Sequence, residues 1–370
     1  MARNFSQKAD RRFLIYLFIW VVFGLVALSS ASAPVGWERF NDNYYFVKSQ
    51  ILYGIIPGLV LFLVLARLSY RTWEKFAWPA YGLSILLLLL VFVPGVGMVI
   101  NGSKSWIGLF GHSFQPSEFA KLAVVLIAAK LFSDPDRNLS NWKKGLVPSL
   151  AILSPLVLLI LAQPDLGTLM ILVVIIYSML YLAKLPRVYL IILGLSAAIA
   201  FAVAMMLMPS RMQRLTVFLH PELDPKGIGY HVNQSLLAIG SGGFSGLGYG
   251  HSRQKYQYLP EVSADSVYAV IAEEMGFIFA AGLVVLILLL GLRGLKIAKV
   301  APDDFGRLLV GGIMVWVIWQ SFVNISAMVG ILPLTGVPLP FVSHGGSAMI
   351  MLLSAMGIVA NVSRNISQPL

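Results

Sequence analysis

The chain has 370 residues, of which 58% are hydrophobic and only 12% are charged. Soluble domains carry about 25% charged residues, whereas several apolar runs here reach the roughly 20 residues that a membrane-spanning helix needs. This composition excludes an ordinary soluble protein, and the apolar runs lack the alternation typical of a transmembrane barrel. The chain contains no cysteine, which excludes disulfides and thiol chemistry.

The formal net charge of +11 would suit a nucleic-acid partner, but lysine and arginine also collect in the cytoplasmic loops of membrane proteins. The five histidines are scattered and show no paired metal-ligand spacing. We therefore expect a membrane protein with no nucleic-acid partner.

The apolar segments predict an all-α polytopic membrane protein with ten transmembrane helices. The predicted spans are residues 13–32, 47–66, 77–97, 116–133, 146–163, 167–183, 187–208, 265–292, 307–329 and 343–361. The connections between spans are alternately rich and poor in lysine and arginine. Because basic connections lie on the cytoplasmic side, this pattern places both termini, 1–12 and 362–370, in the cytoplasm. The whole chain, 1–370, is predicted to form one membrane domain.

One connection, residues 209–264, is far longer than the others and lies on the predicted outer side between the seventh and eighth spans. A loop of this length is usually functional or disordered. It contains a candidate short helix at 234–239 and a glycine-rich run at 240–250, where glycine allows tight turns and close approach of backbone to a ligand. A flexible linker is the alternative, but the interleaved aromatic and basic residues favour a binding surface.

Asp265 stands where this loop meets the eighth span, and Glu273 and Glu274 follow inside the helix. Carboxylates at a membrane boundary are costly to bury, so such residues usually have a function. We predict that Asp265 is a general base at the outer surface of the membrane. For the two glutamates we predict structural hydrogen bonds.

Two further charged motifs stand at helix starts. Glu118 and Lys121 are three residues apart in the fourth span, so they share a helix face and can form an ion pair. A structural pair and a contact with substrate both remain open for them. Asp165 can cap the sixth span through the backbone amides of Gly167 or Thr168, with a substrate or metal contact as the alternative.

The connection between the last two spans, within residues 324–347, is rich in proline and glycine and includes Ser343. Non-helical backbone at membrane depth persists only where it is buried in protein or faces water. We therefore predict a re-entrant segment that lines a pocket.

Taken in order, these motifs resemble those of the SEDS family, the FtsW, RodA and SpoVE proteins of cell shape, elongation, division and sporulation. The matching stretches are residues 102–106, 114–121, 163–168, 224–235, 259–274 and 324–347. The run 252–260 is more similar to the division and sporulation branch than to the elongation branch, so the chain looks more FtsW-like than RodA-like.

The chain departs from the family's pattern in three places. The family's His-Thr-Asp-Phe corresponds to residues 263–266, which keep Asp265 but change its neighbours. The family's Ser-Tyr-Gly-Gly keeps Ser343 but has histidine in place of tyrosine. The family's Arg-Trp lacks its arginine here, so a phosphate contact could have moved to Lys104.

The resemblance implies a peptidoglycan glycosyltransferase of the bacterial cytoplasmic membrane that polymerises lipid II at the outer face. The donor would be the growing chain on undecaprenyl diphosphate, the acceptor the sugar 4-hydroxyl of lipid II, and Asp265 the base of an inverting transfer. The candidate substrate-binding residues are Lys104, Glu118, Lys121, Asp165, Arg211, Arg214, Glu261 and Ser343.

This scheme requires no cofactor, although a divalent cation, Mg²⁺ or Mn²⁺, could assist the departing diphosphate. The family implies a class B penicillin-binding protein, which is a transpeptidase, as a partner, together with other division or elongation membrane proteins. Two alternatives stay open. One is a lipid II flippase, because intramembrane charges and broken helices also suit a transporter; the other is a non-catalytic scaffold.

Overall fold

The computed structural model describes residues 8–100, 102–109, 112–220, 223–224 and 226–366, without the side chains of residues 109, 112 and 209–211. These residues form a helical bundle with one small sheet. The helices are α1 (Arg11–Phe40), α2 (Tyr45–Gln50), α3 (Ile56–Arg67), α4 (Tyr70–Leu90), α5 (Pro116–Ser133), α6 (Val147–Ala162), α7 (Leu166–Leu182), α8 (Arg187–Leu207), α9 (Pro209–Leu219), α10 (Ile228–Gly242), α11 (Val267–Lys299), α12 (Asp304–Met328) and α13 (Gly346–Arg364).

Each predicted span coincides with a helical segment of the described residues. Two of these segments include a π-helical turn: Ile51–Ile55 lies between α2 and α3, and Trp142–Leu146 precedes α6. Seven segments are long and apolar enough to cross a membrane by length and composition, which fits the predicted polytopic helical protein. The helix α7 is shorter, and α4 and α5 carry charged residues in their first turns. The count of ten spans therefore stays a prediction.

The centre of the bundle is formed by α12 and α13, whose apolar stretches are 72% and 78% buried. The helix α8 is peripheral, with only 6% of its apolar stretch buried. The protein thus has a densely packed middle and a loosely attached helix, α8, at its periphery.

Four helix boundaries differ clearly from the prediction, including the end of α4, at Leu90 rather than residue 97, and the end of α11, at Lys299 rather than residue 292. The helix α1 continues to Phe40 and is closed by Asn41 in the left-handed region (φ 53°). The helix α4 begins at Tyr70 rather than at residue 77, so its first turns include Arg71. Helices extend beyond their apolar centres into the polar interface, so hydropathy alone places such ends incorrectly.

A small antiparallel sheet occupies the connection between α4 and α5, and its first residue, Gly97, falls at the end of the predicted third span. Its strands, in spatial order, are β1 (Gly97–Ile100), β2 (Ser103–Leu109) and β3 (His112–Phe114). Ile107 of β2 lies opposite Gly97 on one side and Phe114 on the other. Strands this short carry little alternating pattern, so the all-α prediction did not anticipate them.

The glycine-rich run of the long loop is packed into a break in α11. This helix changes direction at Gly276, whose φ of 74° lies in the left-handed region. The carbonyl groups of Glu273 and Glu274 then accept hydrogen bonds from the amides of Leu247 and Gly248, at 3.0 and 2.9 Å. The run is therefore a docked turn, not a flexible linker.

Substitution of Gly276 tests this docking. Gly276→Ala should destabilise the protein by about 2 kcal/mol or more, because a Cβ would lie 2.3 Å from the Gly246 nitrogen and alanine disfavours this φ. The matched control is Gly282→Ala in the same helix, where a Cβ would meet nothing within 4 Å. Thermal unfolding in detergent compares the variants, and equal midpoints would contradict the role of the kink.

Candidate functional site

Asp265 is 8% exposed and lies in the loop immediately before α11. The backbone here is held by Asn324 of α12, whose Nδ2 donates to Asp265 O at 2.9 Å and to Val337 O at 2.8 Å. The amide of His344 donates to Ser263 O at 2.8 Å. The loop that carries Asp265 is thus tied to α12 and to the re-entrant segment, the non-helical residues between α12 and α13.

Charged groups of the long loop gather around the Asp265 carboxyl. Burial, and next the charge of Glu261, raise the pKa of Asp265 to about 7, while the nearby Arg214 acts in the opposite direction. Arg214 Nη1 also donates to Leu334 O at 3.1 Å, which anchors α9 to the re-entrant segment. A carboxyl with a pKa near neutrality is suited to accept a proton during catalysis.

Beside Asp265 lies a contact between Ser266 and His231 that no sequence signal predicts. Nε2 of His231 is 2.7 Å from Ser266 Oγ, which lies 2.8 Å from Pro260 O and 3.5 Å from Asp265 Oδ1. Burial, and then the charge of Arg214, lower the pKa of His231 to about 4, so this imidazole is neutral at pH 7. The pair therefore braces the backbone next to Asp265 without adding charge.

Glu273 and Glu274 fasten the end of the long loop to the bundle. Lys255 Nζ lies 2.7 Å from Glu274 Oε1, and both side chains are buried. Glu274 Oε1 also accepts a hydrogen bond from Ser30 Oγ of α1 at 2.7 Å, and Glu273 Oε1 accepts one from the Arg253 amide at 2.9 Å. The prediction of structural hydrogen bonds is confirmed, although the lysine partner was not foreseen.

The predicted ion pair forms in the core between α5 and α12. Lys121 Nζ lies 2.8 Å from Glu118 Oε1 and 2.7 Å from Gln320 Oε1, and both charged residues are only 1% exposed. The ammonium group also lies 5.2 Å from the ring centroid of Trp316. Nε2 of Gln320 donates to Pro338 O at 3.0 Å, so the pair is linked to the re-entrant segment. The structural pair is confirmed, and a substrate contact stays a prediction.

Asp165 and Ser343 both make local structural contacts. Asp165 caps α7, because its Oδ1 accepts from the Thr168 amide at 3.0 Å and its Oδ2 from Thr168 Oγ1 at 2.8 Å. This confirms the predicted cap. Ser343 Oγ accepts from the Leu339 amide at 2.8 Å and so closes a turn of the re-entrant segment. Substrate contacts by these two residues stay predictions.

Among the predicted substrate-binding cations whose side chains the structure describes, Arg214 is the one that lies beside Asp265. Lys104 lies on β2, and its Nζ donates to Phe92 O at 3.3 Å, just beyond the C-terminal end of α4. The side chain of Arg211 lies outside the described part of the chain. Substrate contacts by Lys104 and Arg211 therefore stay predictions.

This fold and this site match one family over almost the whole chain. The profile of the FtsW, RodA and SpoVE proteins, described as cell cycle proteins, matches residues 10–368. The chain belongs to this family. It is 39% identical over 359 residues to stage V sporulation protein E of Bacillus subtilis, which covers 97% of this chain and 98% of the relative. It is 38% identical over 354 residues to a probable peptidoglycan glycosyltransferase FtsW of Geobacter sp. (strain M18), covering 96% of each.

Solved structures of the family share the fold. One chain, from a study of how a peptidoglycan synthase complex coordinates polymerization and crosslinking, is 30% identical with a TM-score of 0.80, over 98% of this chain and 99% of that one. The Rod shape determining protein RodA of Thermus thermophilus is also 30% identical, with a TM-score of 0.72 over 98% of each chain. The FtsW and SpoVE names of the curated relatives confirm the FtsW-like assignment.

The buried ion pair allows a test by single and double substitution. Lys121→Met should lower stability by about 3 kcal/mol or more, because it leaves the Glu118 carboxylate buried without its cation. The double change Glu118→Gln with Lys121→Met removes both charges and should lose less. Thermal unfolding of the purified proteins compares them. A double variant less stable than Lys121→Met alone would contradict a structural pair.

Proposed function

We propose that the protein is a peptidoglycan glycosyltransferase that polymerises lipid II into glycan strands at the outer face of the bacterial cytoplasmic membrane. The observation that carries this proposal is Asp265, a nearly buried carboxyl with a pKa of about 7 where the long loop, α12 and the re-entrant segment meet. Family membership and full-length likeness to proteins named probable peptidoglycan glycosyltransferase support it.

In the proposed reaction the sugar hydroxyl of the acceptor attacks the anomeric carbon of the donor, and its proton passes to Asp265. The bond from that carbon to the diphosphate oxygen breaks, and its electron pair leaves with the diphosphate. A positioned base contributes about 10²–10⁴-fold to such a step. An α-linked donor and a β-linked product correspond to a single inverting displacement with no covalent enzyme intermediate.

The departing diphosphate needs positive charge as its own charge develops. Arg214 is the proposed source, because it lies close enough to Asp265 to influence the pKa of that carboxyl. Within the described residues no group of three or more histidine, aspartate or glutamate side chains is arranged to hold a metal ion. A divalent cation, Mg²⁺ or Mn²⁺, that assists the departing diphosphate stays a prediction, and no step is assigned to one.

The polyprenyl chains of the substrates need an apolar site that opens to the bilayer. A cavity of about 660 Å³ lies between α6, α7 and α8 and is lined almost wholly by apolar side chains such as Leu153, Val173 and Phe201. One wall of the cavity, α8, is largely exposed on the outside of the bundle, where a bilayer would surround the protein. We assign one undecaprenyl chain to this cavity.

A class B penicillin-binding protein is the proposed partner, with other division or elongation membrane proteins nearby. The support is the likeness to a chain studied in a peptidoglycan synthase complex that couples polymerization to crosslinking. The distribution of basic residues supports an orientation with both termini in the cytoplasm and residues 209–264 outside.

Polymerisation of purified lipid II tests the assignment of Asp265. Asp265→Asn should abolish strand synthesis while the protein still folds and reaches the membrane, because an amide cannot accept the proton. The matched control is Asp42→Asn, an aspartate of the connection between α1 and α2 that pairs with Lys48 at 2.7 Å and should leave the activity unchanged. Glycan strands are measured with and without the cognate transpeptidase.

An active Asp265→Asn variant would rule out this residue as the base. No strands in any mixture, together with movement of lipid II across liposomes by both proteins, would favour the flippase. If neither the wild type nor its mixture with the transpeptidase makes strands, and no lipid II moves across liposomes, the result would favour a non-catalytic scaffold.

The rate should also depend on pH in a predictable direction. Because Asp265 acts in its ionised form, activity should rise as the pH increases through about 7. Glu261 raises the pKa of Asp265, so Glu261→Gln should move the midpoint to lower pH. Initial rates of strand synthesis across this range measure the shift, and a midpoint that moves upward would contradict the arrangement.

A further inference from the structure

A second polar site lies at the far end of the bundle from Asp265. The helix α13 starts just after the re-entrant segment and ends at this second site, where α3 also ends and α4 begins. A cavity of about 210 Å³ is lined there by Ala66, Arg67, Ser69, Asn361, Arg364 and Asn365. Five of these six side chains are polar or charged, and none is acidic.

The two arginines of this cavity lack a carboxylate partner within the described part of the chain. Arg364 Nη1 donates to Ala66 O at 3.1 Å, but its Nε is buried and makes no hydrogen bond to any residue that the structure describes. The side chain of Arg67 is exposed at the cavity edge. By contrast, the neighbouring Arg71 lies 3.4 Å from Asp303. A guanidinium group with an unused N–H donor and no carboxylate beside it is suited to bind an anion.

The remaining wall of the cavity joins three helices: α4 begins here, and α3 and α13 end here with Arg67 and Arg364 in their last turns. Ser69 is the N-cap of α4 and makes no side-chain capping hydrogen bond. Nδ2 of Asn361 donates to Ala66 O at 3.0 Å, and its Oδ1 accepts from the Tyr70 amide at 2.8 Å, which joins α3, α4 and α13. The dipole of α4 attracts an anion at its N-terminus, whereas at the C-terminal ends of α3 and α13 the attraction comes from the two arginines.

We propose that this cavity binds the phosphate group of an anionic phospholipid. Guanidinium groups recognise phosphate oxygens through paired, charge-assisted hydrogen bonds. A lipid is favoured over free phosphate because exposed apolar side chains of α3, Leu59, Val60, Leu63 and Val64, precede Arg67 and offer a path for an acyl chain. The positive-inside rule places this end at the cytoplasmic leaflet, where anionic headgroups attract basic residues.

The test titrates dioctanoyl phosphatidylglycerol onto the full chain in neutral detergent and counts bound lipid by native mass spectrometry. One lipid should bind saturably, whereas dioctanoyl phosphatidylcholine, whose headgroup has no net charge, should bind more weakly. Arg67→Gln should weaken binding about tenfold, the loss expected for one hydrogen bond to a charged group. The matched control is Arg187→Gln, an exposed arginine at the start of α8, which should bind as the wild type does.

A second variant, Arg364→Lys, keeps the positive charge but removes the planar guanidinium group with its paired N–H donors, so it should also weaken lipid binding. Equal affinity of wild type and Arg67→Gln, or an equal loss in Arg187→Gln, would overturn the site. Inorganic phosphate that binds as tightly as the lipid would overturn the lipid assignment. No lipid II is used, so the outcome is independent of the proposed activity.

Discussion

The side-chain amide of Asn324 is the interaction on which the rest of the site depends. Its two N–H groups donate to the backbone carbonyls of Asp265 and Val337, so one buried side chain joins the loop before α11 to the re-entrant segment. Water does not reach such buried carbonyls freely, and an unpaired one is costly. Gln320, one helical turn earlier, repeats the arrangement by joining Pro338 to the buried ammonium group of Lys121.

Among the described residues, two buried ion pairs hold parts of the structure together, whereas the buried carboxyl of Asp265 is the proposed base. Lys121 with Glu118 forms a pair within α5 that Gln320 links to α12, and Lys255 with Glu274 joins the long loop to α11. Each pair compensates the loss of hydration of its members, which makes either partner expensive to remove alone. Asp265 differs, because burial and Glu261 bring the pKa of its carboxyl close to neutrality. Rigid neighbours thus hold a carboxyl that can exchange a proton.

The long loop between α8 and α11 illustrates how glycine serves this architecture. Its glycine-rich run approaches the backbone of α11 so closely that a Cβ on Gly246 would lie 2.2 Å from the Glu274 carbonyl oxygen. The break at Gly276 frees the carbonyl groups that accept this turn. The loop is therefore ordered by the same helix that follows Asp265, and its helices α9 and α10 bring Arg214 and His231 to the site.

The sequence by itself determined the features that depend on local chemistry. Apolar runs predicted the helices, a spacing of three predicted the pair of Glu118 and Lys121, and a polar residue before a helix predicted the Asp165 cap. The contacts that complete the site were decided only in the tertiary structure: Lys255 with Glu274, His231 with Ser266, Asp265 with Asn324 and Arg214 with Leu334 are 19, 35, 59 and 120 residues apart. Hydropathy, helix spacing and caps act within a few residues, whereas these contacts exist only once packing has brought distant segments together.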